Sequence, residues 1–227
     1  MMINANGIDL YYELSCADRP GVGQPFILLH GNGETHEIFD RLTARLVEAG
    51  YAVYAIDSRG HGRSGKDEKI ANNMSYADMV EDIAAFIRVL ELEKPILFGF
   101  SDGGIIGLLL ASKYPGYLSK LIVSGANLTP KGIKAGWTLL FRVLYFFKRD
   151  PKIRMMLTEP DIRENALGEI SIPVLVLAGE RDVVKEEETR RIHAGISNST
   201  LRILENETHS SYVIHSDKLY GIIEHFL

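Results

Sequence analysis

The run Ile96-Leu97-Phe98-Gly99-Phe100-Ser101-Asp102-Gly103-Gly104-Ile105-Ile106-Gly107 constrains this chain more than any other stretch. Pro95 opens a short apolar run that reads as a buried strand, and the aliphatic, small-residue run after Ser101 reads as a helix. Between them, Gly-x-Ser-x-Gly has to reverse the chain within a few residues. Such a reversal forces the serine into a strained backbone conformation and lifts its hydroxyl above the sheet. Gly99 and Gly103 flank the turn where any Cβ would strike the neighbouring strand or helix. The first N–H groups of the new helix, with their partial positive charge, lie beside Ser101. Alone the pentapeptide is a weak signal. Its place at a strand-to-helix junction makes it a strong one.

Around this unit, strand and helix patterns alternate. Residues 2–15 read as a hairpin turning at Asn6-Gly7, and residues 19–23 as loop. Phe26-Ile27-Leu28-Leu29-His30 is a continuous apolar run, the mark of a strand covered on both faces. Phe39, Leu42, Leu46 and Ala49 predict a helix from Thr35 to Gly50. A strand over 51–56 leads into the glycine-rich turn 57–65. Ser75 caps a helix with Tyr76, Met79, Val80, Ile83, Ile87 and Leu90 on one face. Further strands are expected over 117–124, 173–178 and 200–204, with helices near 185–195 and 212–226. The alternation predicts an α/β protein: a doubly wound, mostly parallel sheet with helices on both faces.

One segment breaks the rhythm. Residues 127–170 exceed a normal crossover between strands. Within them Trp137, Leu139, Leu140, Phe141, Val143, Leu144, Tyr145, Phe146 and Phe147 are apolar nearly all round a helix. A surface helix needs one apolar stripe, whereas a helix covering both a core and an open pocket needs two. The segment is therefore read as a small helical cap, on a core made of 1–126 and 171–227. A well-buried core helix is the competing reading.

Composition narrows the partners. Hydrophobic residues make up 46% of the 227 and charged residues 24%, as in ordinary globular domains. The formal charge of −5 gives no reason to expect nucleic acid or a membrane as partner. Cys16 is the only cysteine, which excludes an intramolecular disulfide and a cysteine metal cluster. No HExxH, clustered Cys/His or phosphate loop is present, so neither metal nor organic cofactor is expected. With no signal-peptide pattern at Met1 to Leu14 and no apolar run of spanning length, a cytoplasmic monomer or homodimer is the expectation.

A serine hydroxyl is a poor nucleophile until a base, itself oriented by an acid, takes its proton. Of the seven histidines, His209 follows the final strand in the polar loop 205–211, and such loops converge where the elbow serine projects. His215 and His225 fall inside the last helical pattern, and His30 ends a buried strand. The acid should come from a similar loop. Gly179-Glu180-Arg181-Asp182 supplies two carboxylates, Glu180 and Asp182, with Asp182 27 residues before His209.

These residues carry a resemblance. His30-Gly31-Asn32-Gly33, Asp57-x-Arg59-Gly60-x-Gly62-x-Ser64, Gly99-x-Ser101-x-Gly103, Gly179-x-x-Asp182 and Thr208-His209 resemble the α/β-hydrolase superfamily in order and spacing along the whole chain. The resemblance implies Ser101 as nucleophile, His209 as general base and then acid, and Asp182 as the group orienting the imidazole. It implies an oxyanion hole from the backbone N–H groups of Asn32 and Asp102, donors that need no particular side chain. Asp57, Arg59 and His61 then belong to a structural turn. Dehalogenases and epoxide hydrolases of the superfamily place Asp at the nucleophile position, so Ser101 sets this chain apart from them. Amino-acid ester hydrolases share a Gly-x-Ser-Asp-Gly-Gly elbow, in which the Asp102 carboxylate would meet a substrate ammonium; the plainer reading is a solvated or locally hydrogen-bonded Asp at a helix N-terminus, stabilised by the helix dipole. Trp137, Phe141 and Val183 are the candidate pocket residues.

The function expected is hydrolysis of small, mostly apolar carboxylic esters through an acyl-enzyme. Lactone, thioester and C–C bond hydrolases use the same triad, and a slow-turnover sensor on the same scaffold is the alternative from another class.

Overall fold

A computed structural model describes residues 1–16, 23–65 and 74–227. Most of the loop expected over 19–23 lies outside the described residues. Strands β1 (Met2–Ala5), β2 (Ile8–Ser15), β3 (Pro25–Leu29), β4 (Ala52–Ile56), β5 (Ile96–Phe100), β6 (Lys120–Ser124), β7 (Val174–Arg181) and β8 (Ser199–Thr208) form one eight-stranded sheet. Its order is β1-β2-β4-β3-β5-β6-β7-β8. Only β1 and β2 run antiparallel to their neighbours; β4, β3, β5, β6, β7 and β8 are parallel.

The sheet is covered on both sides because its central strands are apolar at every position. In β3, Ile27 and Leu29 join one buried cluster while Phe26 and Leu28 join another, as the period-two geometry of a strand dictates. Helices α2 (Tyr76–Val89), α3 (Asp102–Lys113) and α7 (Glu186–Gly195) pack on the first side. A 3₁₀ turn (His36–Phe39), α1 (Asp40–Glu48) and α8 (Lys218–Ile223) pack on the second. The Ser75 hydroxyl accepts the Asp78 N–H at 3.1 Å, capping α2 as its sequence predicts.

Several expected boundaries move, among them the start of β6 at Lys120 rather than 117 and the end of β7 at Arg181 rather than 178. The last helix is confined to Lys218–Ile223 and is preceded by turns. Strand β8 extends to Thr208 rather than ending near Leu204. The extension depends on a register shift opposite Gly179 and Arg181. A Cβ on Gly179 would lie 2.5 Å from the carbonyl oxygens of both Glu207 and Thr208, so only glycine lets the two strand ends approach.

Chain order places the reversal of the sheet between adjacent β3 and β5: from β3 the chain winds outward to β4, and from β5 it winds the other way to β8. Ligands of open α/β sheets sit at the carboxyl ends of strands at such a switch point. The turn after β3 and the serine after β5 both open there.

Residues 127–170 hold α4 (Ala135–Lys148), α5 (Pro151–Thr158) and α6 (Glu164–Gly168). The competing reading of α4 as a well-buried core helix does not describe it. Phe141 and Leu144 turn inward and are half-buried, but no residue of α4 is fully buried. Its second apolar stripe meets solvent rather than a core, with Leu139 and Phe146 each 65% exposed and Phe147 78%.

Candidate active site

Ser101 joins β5 to α3 with φ 52° and ψ −112°, a region costly for a residue with a Cβ. Neighbouring backbone holds it there. The Ser101 N–H donates to Ser124 O at 2.7 Å, and Gly103 N–H donates to His30 O at 3.1 Å. The turn closes because a Cβ on Gly99 would lie 2.1 Å from Gly103 O, and one on Gly103 2.2 Å from Leu29 O. The sequence expectation of a strained serine between two obligatory glycines describes the observed turn.

His209 directly follows β8, at the strand end rather than deep in a loop. Its Nε2 is 3.1 Å from Ser101 Oγ, and its Nδ1 is 2.6 Å from Asp182 Oδ1. Asp182 is 3% exposed, and Oδ1 also accepts the Val184 N–H at 2.9 Å. Its Oδ2 is buried without a hydrogen-bond partner among the described residues. The rival Glu180 points away: it is exposed and accepts the Asn206 N–H at 2.9 Å. Gly125 makes room for the imidazole, since a Cβ there would stand 2.7 Å from His209 Cε1. Behind the ring, the Tyr212 and Ser124 hydroxyls meet at 2.6 Å in the core and fasten the turn that follows His209.

Asn32 and Asp102, the two candidate oxyanion donors, end up side by side. Asp102 opens α3, so its N–H has no carbonyl acceptor inside the helix. Their side chains are engaged as well. Asn32 Nδ2 donates to Asp102 Oδ2 at 2.9 Å and to Lys152 O at 3.2 Å, tying the β3 turn to the elbow and to α5. Tyr76 Oη donates to Asp102 Oδ1 at 2.7 Å. Both carboxylate oxygens are thus engaged, by partners 70 and 26 residues away rather than by groups of the local helix N-terminus. Burial raises the Asp102 pKa above the usual carboxylate range, opposed by these two hydrogen bonds. Asp102 also raises the Tyr76 pKa, after burial, which is the larger cause.

Above Ser101 lies a cavity of about 390 Å³. Trp137, Phe141 and Val183, the expected pocket residues, all line it, joined by Leu144, Ile153 and Met156. Sequence reasoning missed three polar walls. Glu34 accepts the Gly31 N–H at 2.9 Å, and burial raises its pKa. Glu159 accepts the Tyr76 N–H at 3.0 Å, and Asn127 completes the lining. Tyr76 falls on the apolar face of its helix by spacing, which gives no hint that the hydroxyl turns to Asp102. Glu34 offered a signal, a carboxylate in the turn directly after β3.

The remaining polar motif is structural. Asp57 Oδ1 accepts the His36 N–H at 2.9 Å and Oδ2 the Arg63 N–H at 2.8 Å. Arg59 grips Asp82 with two bonds of 2.7 and 2.6 Å. His30 Nε2 accepts the Ser58 N–H at 3.0 Å, and Nδ1 faces Gly31 O at 2.8 Å, a pairing that requires the neutral Nδ1–H tautomer. Burial pushes its pKa down to about 3. The unfolded chain takes up this proton near pH 6.5, whereas the native state resists until about 3. Stability from His30 is therefore intact above pH 6.5 and is lost as pH falls, at about 1.4 kcal/mol per pH unit. Urea unfolding midpoints between pH 7 and 4.5, followed by circular dichroism, are expected to fall more steeply for the wild type than for His30→Asn.

The chain has relatives among known proteins. Residues 24–162 match the family model described as serine aminopeptidase, S33. The chain is 27% identical to human serine hydrolase BPHL, over 99% of this chain and 85% of that protein. Among solved structures, a bromoperoxidase from Bacillus anthracis superposes with a TM-score of 0.84 at 21% identity, covering 100% of this chain and 98% of the other. An esterase from Exiguobacterium antarcticum gives 0.78 at 23% identity, covering 99% and 97%. At such identities the two structures speak to the fold.

Proposed function

Because the chain belongs to the α/β-hydrolase superfamily, we propose that it is a serine hydrolase of small, mostly apolar carboxylic esters or related acyl compounds. The observation that carries this reading is the relay Ser101 Oγ–His209 Nε2 at 3.1 Å and His209 Nδ1–Asp182 Oδ1 at 2.6 Å, set beneath an apolar-walled cavity. In the proposed route Ser101 Oγ attacks the acyl carbon as its proton passes to His209 Nε2. The oxyanion is received by the N–H groups of Asn32 and Asp102, each such donor typically contributing about 10²–10³ in kcat. His209 returns the proton to the leaving alcohol, then activates water to release the acid. Asp182 holds the Nδ1–H tautomer, and its buried, unpartnered Oδ2 keeps charge available to the imidazolium.

In this reading 127–170 acts as the cap: Trp137, Phe141 and Leu144 of α4 roof the cavity, and the Asn32–Lys152 contact couples the roof to the oxyanion turn. The cavity size suits a short acyl or alkyl group rather than a polymer.

One observation favours a second substrate reading. Glu34 and Glu159 line the cavity without a lysine or arginine among its wall residues, an arrangement that suits a substrate bearing an amine. The family model's description as an aminopeptidase points the same way.

Burst kinetics test both. A panel of p-nitrophenyl esters from acetate to octanoate, with α-amino counterparts, is expected to give a serine-dependent burst followed by steady turnover. Fluorophosphonate should label Ser101 stoichiometrically. A preference for the α-amino esters selects the second reading. Absence of both labelling and turnover would overturn the triad.

A further inference from the structure

The outward face of α4 has a composition that cavity and fold leave unexplained. At 100° per residue, Leu139, Leu140, Val143, Phe146 and Phe147 fall within about 120° of the helix circumference, a full apolar stripe on the side away from Phe141 and Leu144. All five are more than 40% exposed. Phe146 and Phe147 stand together, ring centroids 5.2 Å apart. Such a stripe normally meets a core or a partner.

The charge around the stripe selects the partner. Residues 131–154 hold seven lysines and arginines against a single acid, Asp150, in a chain whose formal charge is −5. The mild overall charge thus conceals a basic patch on an acidic body. Arg142 flanks the stripe on one side, and Lys148 and Arg149 close its carboxyl end, all exposed. The Arg149 guanidinium lies 5.6 Å from the Phe146 and Tyr145 ring centroids, so a cation is held beside the apolar surface. Large apolar side chains bordered by basic residues are the makeup of helices that lie in a lipid interface. Among the described residues no helix is long and apolar enough to cross a membrane, so this contact would be peripheral. A two-fold pairing of two copies through the same face would bring two basic patches together.

We propose that the outward face of α4 docks the protein on an anionic lipid surface, with Phe146 and Phe147 inserted at the headgroup boundary and Arg142, Lys148 and Arg149 on the lipid phosphates. The inner face of the same helix roofs the cavity over Ser101. Docking therefore brings the cavity alongside the lipid, from which apolar acyl compounds enter; that last consequence rests on the esterase reading, whereas the docking does not.

Co-sedimentation of the full chain with phosphatidylcholine vesicles, with and without phosphatidylglycerol, is the test. The wild type is expected to bind the anionic vesicles and to be released by high salt. Phe146→Ser/Phe147→Ser is expected to weaken binding by about tenfold or more per side chain. Lys148→Glu/Arg149→Glu is expected to remove the preference for anionic over neutral vesicles. Both variants change exposed positions outside the cavity, so hydrolysis of a short soluble ester should stay at the wild-type level. Absence of wild-type binding overturns the proposal, as does equal binding by the phenylalanine variant. So does finding that Phe146 and Phe147 instead control self-association in sedimentation velocity. A protein that binds vesicles yet cleaves no ester would leave the docking standing and remove the esterase reading.

Discussion

Ser101→Ala is expected to lower kcat for a short p-nitrophenyl ester by about 10⁴–10⁶, with His209→Ala nearly as damaging and the double variant no worse than Ser101→Ala. Non-additivity is the informative part. If the Ser101–His209 contact at 3.1 Å works as a proton relay, removing either end disables the same step, and there is nothing further to lose. Two residues contributing independently would multiply their losses instead. The folded state should tolerate both changes: Ser101 and His209 are partly exposed, and replacing Ser101 by alanine leaves its backbone bond to Ser124 available. Stopped-flow kinetics with circular dichroism as the folding control decides the matter. Independent, additive losses would mean that the two residues do not act as a unit.

Gly103→Ala is expected to cost about 4 kcal/mol or more of stability, enough to deplete the folded protein. The new Cβ would sit 2.2 Å from Leu29 O, 2.6 Å from Leu29 C and 2.7 Å from Leu29 Cβ. The first two atoms are backbone of a central, fully buried strand, which cannot swing aside as a side-chain tip could. Relief requires α3 to move away from the sheet, and α3 starts at the elbow. Gly136→Ala is the control: nothing lies within 4 Å of a Cβ there, and it sits in exposed α4. That change should leave stability unchanged or raise it by up to about 1 kcal/mol. Urea unfolding of the two variants compares a clash with an open site, and equal stabilities would refute the account of the elbow.

The elbow was legible because its constraint is local. A strand, a two-glycine turn and a helix leave one conformation for Ser101, and each cause sits within a few residues of its effect. The parallel sheet was legible for a similar reason, since strands apolar at every position have to be covered on both faces. Helix caps and turns followed the same logic, as Ser75 illustrates.

Other features depended on atoms distant in sequence. His209 meets Ser101 across 108 positions only because glycine at 179 admits the far end of β8, and glycine at 125 admits the ring. The choice between Glu180 and Asp182 turned on a register shift in β7 that no local pattern announces. Tyr76, Asn32 and Asp102 joined hands from three different elements, and their residue types alone suggested a core residue, a turn and a helix start. The destination of α4's second stripe was likewise beyond local reasoning. Periodicity establishes that a helix has two apolar faces, but what each face meets depends on where the surrounding chain runs. In this protein one face closes a cavity and the other meets solvent, because among the described residues the chain supplies a partner for only one of them.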